Sequence, residues 1–306
     1  MNAVAAVGKE LHGHRGARGL APENTLMSFK KAIDLGADCI ETDVGMSRDG
    51  DLVLHHDRTL NPDIARSGGE WIGQRTAIQS LTMSEIRGFD VGRIRPGTAY
   101  AGRFSRQEPR DGAAIPVLQD LLQMPEFSAN SDLCLNIEIK TSPHAADETA
   151  PPERIADALL KLIREHKLAA RVRVQSFDWR NLVHLHKTAP DIALSFLTVE
   201  QSWLDNVERS QRGPSAWFAG GDLDAFDGSL PRLIKHLGGD YWAPYYRELT
   251  AEQVKVAHGL MLKVIVWTVN SRSAMDEMLE MGVDGIITDY PDIGRRALDE
   301  YQNANQ

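Results

Sequence analysis

The most informative stretch of the chain is Cys39-Ile-Glu-Thr-Asp-Val-Gly-Met46. Strand alternation puts Cys39, Glu41 and Asp43 on one face and Ile40, Thr42 and Val44 on the other. In Leu135-Asn-Ile-Glu-Ile-Lys140, Asn136, Glu138 and Lys140 share a face in the same way. If the two strands are neighbours in a barrel with their apolar sets turned to the helices, Glu41, Asp43 and Glu138 converge inside its mouth. Three carboxylates that close cannot all ionise without a cation, because like charges raise one another's pKa. An all-oxygen donor set without His or Cys selects a hard divalent ion, Mg²⁺ or Ca²⁺.

Two further segments point to the same place. Leu11-His-Gly-His-Arg-Gly16 sets His14 and Arg15 where a strand meets a loop, and Leu52-Val-Leu-His-His-Asp57 follows an Asp49-Gly50 hairpin signal that leads His55 and His56 back to the mouth. A His beside the metal can take or give a proton near neutral pH, and two can serve the two ends of an in-line displacement. Arg15 and Lys140, cations beside an anionic cage, make sense if the ligand brings its own negative charge, as a phosphate does.

Such convergence needs a fold that aims strand ends at one point. Strand-like runs occur at Glu10–Gly13, Cys39–Met46, Leu133–Lys140, Val172–Ser176, Ile192–Leu197, Tyr241–Pro244, Lys263–Asn270 and Gly285–Asp289. Helical patterns fill most gaps, at Glu23–Leu35, Pro152–Lys167, Trp179–Thr188, Thr250–Leu260, Arg272–Met281 and Pro291–Gln302. Eight β/α units in 306 residues fit a closed (β/α)₈ TIM barrel, whose active sites lie at the C-terminal mouth, better than an open sheet. Leu35-Gly-Ala-Asp-Cys-Ile-Glu-Thr-Asp-Val44 is echoed by Met281-Gly-Val-Asp-Gly-Ile-Ile-Thr-Asp-Tyr290, so one αβ unit is used twice, by duplication or by convergent turn chemistry. The chain is expected to be a single domain, 1–306, with residues 57–116 as a Gly- and Arg-rich excursion after strand 2, packed over the mouth. Within the irregular stretch Gln201–Asp240, Leu230–Leu237 reads as a short helix.

Composition excludes other classes. With 34 basic and 43 acidic side chains the net charge is −9, against a non-specific nucleic-acid binder. A hydrophobic content of 42% and a charged content of 25% exclude a largely disordered chain. No apolar run approaches the roughly 18 residues that span a bilayer. The opening MNAVAAVGKE lacks the features of a secretory segment. Cys39 and Cys134 are expected to point into the barrel at different heights, reduced and unreactive, in a cytoplasmic protein without stable membrane association.

The ordered set His14-Arg15-Gly16, Pro22-Glu23-Asn24-Thr25, Glu41-Thr42-Asp43, His56-Asp57 and Glu138-Ile139-Lys140 closely resembles the glycerophosphodiester phosphodiesterase family. Gln175-Ser176-Phe177, Val266-Trp267-Thr268-Val269-Asn270 and Asp284–Pro291 agree, so the resemblance covers roughly residues 11–300. It implies a TIM barrel, a divalent metal, and hydrolysis of small glycerophosphodiesters to sn-glycerol 3-phosphate and an alcohol. Carried over by motif, Glu41, Asp43 and Glu138 would be metal ligands, His14 and His56 the acid–base pair, and Arg15 and Lys140 the phosphate clamp. The resemblance also places Glu23 and Asn24 at the border of the site. Two departures bear on the substrate's head group rather than on the chemistry. Arg58–Arg66 lacks the family's Thr-rich stretch, and the Arg-rich excursion through Arg110 is longer than a minimal one.

Among the remaining residues, Trp267 is expected to line the pocket and cover the glycerol carbons, or else to pack in the core. Ser176 ends strand 4 and could bond substrate, but no base is spaced to activate it as a nucleophile. His184 and His186 stand two apart on a helix and cannot share a metal. The attacker would be water or the glycerol 2-hydroxyl. Two rival readings are a lysophospholipid or phosphoinositide phosphodiesterase, which needs an apolar or membrane-binding rim, and a non-catalytic metal- and phosphate-binding barrel.

Overall fold

The computed structural model describes residues 8–305, so the opening segment read above lies largely outside the described residues. Eight parallel strands close on themselves: β1 (Glu10–Gly13), β2 (Cys39–Met46), β3 (Cys134–Ile139), β4 (Val172–Ser176), β5 (Ala193–Thr198), β6 (Tyr241–Pro244), β7 (Lys263–Val266) and β8 (Gly285–Thr288). Each pairs with the next, and β1 pairs with both β8 and β2, so no edge is left. This is the expected (β/α)₈ barrel. Strand β7 stops four residues early, because Trp267–Asn270 turn into the mouth.

Outward residues Leu11, Ile40, Val44, Leu135, Ile137, Val174 and Phe196 are buried in one cluster with the apolar faces of the helices. Helix α1 spans Leu26–Asp34, α2 Pro152–Glu165, α3 Arg180–Thr188, α4 Leu230–His236, α5 Ala251–Gly259, α6 Arg272–Met281 and α7 Pro291–Ala304. In α2, Pro152 occupies the first turn, where a missing N–H costs nothing, and Ile155, Ala156, Leu159 and Ile163 form the buried stripe. Helix α1 starts three residues later than its pattern predicts. Thr25 is its N-cap, accepting from the Ser28 amide, and Asn24 stands before it in the left-handed region with φ 52°. Glu23 and Asn24 are thereby released toward the strand ends.

Strand β2 continues past the barrel, turns at Asp49-Gly50 (Gly50 φ +94°) and returns antiparallel as Leu52–Leu54, as the hairpin signal predicts. The stretch that follows folds on its own core of Val53, Leu60, Ala65, Ile78, Met83, Ile86, Val91, Ile115 and Val117. It carries a three-stranded antiparallel sheet (Arg66–Ser67, Glu70–Trp71, Phe89–Asp90) and short helices at Met83–Ile86 and Ala99–Arg103.

The cysteines overturn an expectation. Cys39 and Cys134 face each other in the β2–β3 register and form a disulfide, with Cα atoms 4.4 Å apart. The register that sets Asp43 opposite Glu138 sets Cys39 opposite Cys134, since both pairs are four residues apart. They are therefore at one height, not two, and the support that free thiols lent to a cytoplasmic location is removed.

The floor of the barrel is polar. Arg173 donates to Glu10 Oε2 (3.0 Å), His12 Nε2 lies 3.0 Å from the same oxygen, and Asn136 Nδ2 lies 3.4 Å from His12 Nδ1. With Asn136 donating, the His12 proton sits on Nε2 and goes to Glu10. Burial pushes the Glu10 carboxyl up, but His12 and Arg173 outweigh it and hold it at about 2. Burial holds His12 below its ordinary value of 6.5. Both groups stabilise the fold above their unfolded values and lose that contribution as pH falls, Glu10 between 4.5 and about 2. Acid is therefore expected to cost on the order of 2 kcal/mol here. Urea midpoints from pH 7 to 3 should show a steep acid limb that Glu10→Gln flattens; an unchanged limb would reject the network.

Candidate active site

At the mouth, Glu41, Asp43 and Glu138 each bring a carboxylate oxygen within 4.8 Å of the others, the cluster predicted from alternation. Gln175 Nε2 donates to Glu41 Oε1 (3.0 Å) and the Arg15 amide to Glu41 Oε2 (2.9 Å). Asn24 Nδ2 donates to Asp43 Oδ2 (2.9 Å), while Asn24 Oδ1 accepts from Thr42 Oγ1 (2.8 Å). Lys140 Nζ donates to Glu138 Oε1 (2.6 Å) and stands 3.6 Å from Asp43 Oδ1.

Burial, then Asp43 and Glu138, push the Glu41 carboxyl far above its ordinary value. Burial and Asp43 raise Glu138 to about 7 in spite of Lys140. Asp43 goes the other way: burial raises it, but His56, Lys140 and Arg15 hold it well below the carboxylate range. The trio therefore carries less than its full negative charge until something positive enters. Asp43 Oδ1 is buried without a hydrogen-bond partner. An orphaned carboxylate oxygen inside an all-oxygen cluster fits a hard divalent cation.

Each predicted histidine sits against an aspartate. His14 Nδ1 lies 2.7 Å from Asp289 Oδ1, and His56 Nδ1 lies 2.6 Å from Asp57 Oδ1. Burial raises both aspartates, but their partners hold them well below the usual range, so they stay ionised and can only accept. The proton of each imidazole is thus on Nδ1, leaving an Nε2 lone pair. His14 Nε2 is 3.9 Å from Glu41 Oε2. Burial, with Arg18 beside His14 and Arg15 and Lys140 beside His56, brings both histidines down to about 4. His55 is buried and stays out of the cavity.

Arg15 has φ 51°; its Nη1 donates to Glu23 Oε1 (2.7 Å), its Nε is 3.5 Å from Asp43 Oδ2, and that Nε has no hydrogen-bond partner. The second Glu23 oxygen accepts from the Tyr100 hydroxyl, so the excursion is tied to the arginine at the centre of the site. Glu23 and Asn24 thus stand behind Arg15 and Asp43, and neither lines the cavity itself. Trp267 lines the cavity, half-buried, its Nε1 donating to Ala243 O (2.8 Å). Ser176 does not reach the cavity: its hydroxyl donates to Ile139 O (2.8 Å) and accepts from Asn181 Nδ2 (3.2 Å), joining β4 to β3 and α3. His184 pairs with Asp157 (2.7 Å) and His186 is exposed, neither near a metal cluster.

Arg18 and Tyr100 were not singled out from the sequence, and Asp289, Asn270 and Gln175 stood there only within the family's motifs, without a role. Arg18 Nε (2.7 Å) and Asn270 Nδ2 (2.6 Å) both donate to Asp289, fixing it against His14. Asp289 was readable, since it occupies in the β8 repeat the place that Asp43 takes in β2. Gln175 was readable from the inward phase of β4.

The cavity around these groups has a volume of about 960 Å³ and opens at the C-terminal mouth. The family model of the "Glycerophosphoryl diester phosphodiesterase family" matches residues 14–293. The chain belongs to this family of phosphodiesterases. It is 31% identical to the glycerophosphodiester phosphodiesterase of Caldanaerobacter subterraneus subsp. tengcongensis, over 91% of this chain and 93% of that one. A crystal structure of a provisionally named glycerophosphoryl diester phosphodiesterase from Silicibacter pomeroyi superposes with a TM-score of 0.85 at 32% identity, covering 97% of this chain and 95% of that one. An Oleispira antarctica phosphodiesterase, solved in complex with the product sn-glycerol-3-phosphate, shares the fold at 23% identity, with a TM-score of 0.68 and coverage of 95% and 96%.

Proposed function

We propose that this phosphodiesterase hydrolyses glycerophosphodiesters to sn-glycerol 3-phosphate and an alcohol with the help of one divalent cation, Mg²⁺ or Ca²⁺. The observation that carries this reading is the buried carboxylate trio flanked by two His–Asp pairs. Glu41, Asp43 and Glu138 would hold the cation, which when bound supplies Lewis-acid polarisation of a phosphoryl oxygen. Arg15, whose Nε is free of partners, and Lys140 bind the other phosphoryl oxygens and offset charge that develops there. One of His14 and His56 takes the attacker's proton at Nε2; the other, protonated at Nε2 from solvent once the anionic diester is bound beside it, delivers that proton to the departing oxygen. The aspartate behind each ring fixes its tautomer and steadies the imidazolium that forms. Trp267 covers the glycerol carbons, and the excursion 57–116 caps the mouth and excludes water.

The test is release of glycerol 3-phosphate from glycerophosphocholine with and without EDTA. Hydrolysis that stops with chelator and returns with Mg²⁺ or Ca²⁺ is the expected result; hydrolysis indifferent to EDTA would reject the metal. One observation favours a second substrate on the same site. Trp203, 59% exposed at the rim, offers an apolar surface over which an acyl chain on the glycerol could leave the cavity. The same assay with lysophosphatidylcholine decides that reading. No helix among the described residues is long and apolar enough to cross a membrane.

A further inference from the structure

The cavity has two unlike arcs. The ends of β4 to β7 contribute rings: Phe177, Trp203, Tyr245 and Trp267. Trp267 packs 5.2 Å from Phe177, 5.5 Å from Tyr245 and 6.2 Å from Trp203, centroid to centroid. The loop after β1, the end of β3 and the excursion contribute cations instead: Arg15, Arg18, Arg58, Arg75, Arg103 and Lys140.

Five of these six are matched by a carboxylate. Arg15 pairs with Glu23 (2.7 Å), Arg18 with Asp289 (2.7 Å), Arg58 with Glu148 (2.7 Å), Arg75 with Asp57 (2.9 Å) and Lys140 with Glu138 (2.6 Å). Among the described residues Arg103 has no such partner. Its guanidinium is exposed and packs 5.4 Å from the centre of the Phe104 ring and 5.8 Å from that of Tyr100. The position is nevertheless fixed. Arg103 ends the helix whose Tyr100 bonds to Glu23, and Phe104 stacks edge-on against Tyr100 at 5.1 Å. The carboxylates that line the cavity (Glu41, Asp57, Glu138, Glu148) belong to β2, β3 and the loops that follow them, so the aromatic arc offers a quaternary ammonium no counter-charge.

A phosphodiester anchored between the arcs sends one arm to each. With the glycerol carbons on Trp267, the other arm meets the guanidinium arc. We infer that the excursion's share of this arc, Arg58, Arg75 and Arg103, is the alcohol subsite, that Arg103 is its specificity-determining residue, and that the alcohol it selects carries negative charge, as a phosphorylated polyol does. This rests on the hydrolase reading above. A charge-assisted hydrogen bond to Arg103 is worth about tenfold or more in kcat/KM, whereas choline would meet like charge there.

The experiment compares kcat/KM for three diesters of the same glycerol phosphate, with inositol 4-phosphate, glycerol or choline as the alcohol. The expected order is anionic, then neutral, then cationic, with about tenfold between the ends and a narrower spread in 0.5 M NaCl. Arg103→Gln should bring the anionic-to-cationic ratio near one, and Arg103→Glu should reverse it, with thermal melting used to check that both variants fold. Choline preferred by the native enzyme, equal rates for all three, or an order that Arg103→Glu leaves standing would each overturn the inference. Failure to cleave any of the three with Mg²⁺ or Ca²⁺ present would overturn the hydrolase reading and this one with it.

Discussion

Glu41→Gln is expected to lower divalent-cation affinity by more than roughly a hundredfold, because even partners behind a metal ligand are worth 10- to 100-fold. Hydrolysis should fall by about three orders of magnitude, the several kcal/mol a Lewis acid contributes at phosphorus. The variant should fold normally. Without a cation, burial, Asp43 and Glu138 push the Glu41 carboxyl up toward its neutral form, and a glutamine amide matches that form in charge and shape. Its Oε1 can still accept from the Arg15 amide. Calorimetric titration with Mg²⁺ and Ca²⁺, beside the glycerol 3-phosphate assay, checks both halves. Native metal affinity in the variant would mean that the trio is not the cage, and a lowered melting temperature would mean that Glu41 acts chiefly as a structural acceptor.

His14→Ala and His56→Ala should each reduce kcat by roughly 10²–10⁴-fold, the range of a positioned acid or base, while calorimetry still records metal binding. The double variant should lose far less than the product of the single losses, because neither proton transfer helps once the other is missing. Asp57→Asn offers a finer test, since Asp57 is partly exposed and its loss strands no buried cation of the kind that Asp289→Asn would leave in Arg18. Asparagine can still accept from His56 Nδ1 but no longer balances the imidazolium, so a smaller fall in kcat with KM preserved is expected. Full turnover in both alanine variants would reject the acid–base assignment.

Much of this site was legible because strand alternation is a local property. A period of two decides that Glu41 and Asp43 leave β2 on one side and Glu138 and Lys140 leave β3 on one side, whatever the rest of the chain does. The rhythm of eight strands with helices in most of the gaps then leaves a closed barrel as the arrangement that buries the outward residues Ile40, Val44, Ile137 and Val174. The same arithmetic contained the Cys39–Cys134 cross-link. Both cysteines precede a cage carboxylate by four residues, so adjacent strands that bring the acids level bring the sulfurs level too.

The supports of those side chains had to wait for the fold. Asp289 meets His14 across 275 residues because β8 closes against β1, and no periodicity within either strand states that distance. Tyr100 reaches Glu23 because the excursion, with a core of its own, happens to return over the loop after β1. Glu23 and Asn24 read as the first turn of a helix, yet the Asn24 amide is drawn to Arg15 O (3.1 Å) and its side chain to Thr42 and Asp43, which holds the pair outside α1. Residue type and spacing along this chain decided which groups could do chemistry and which way they face. Which of them touch was decided by where the closed barrel and its excursion bring distant backbone together, because a contact between loops depends on the path of every residue between them.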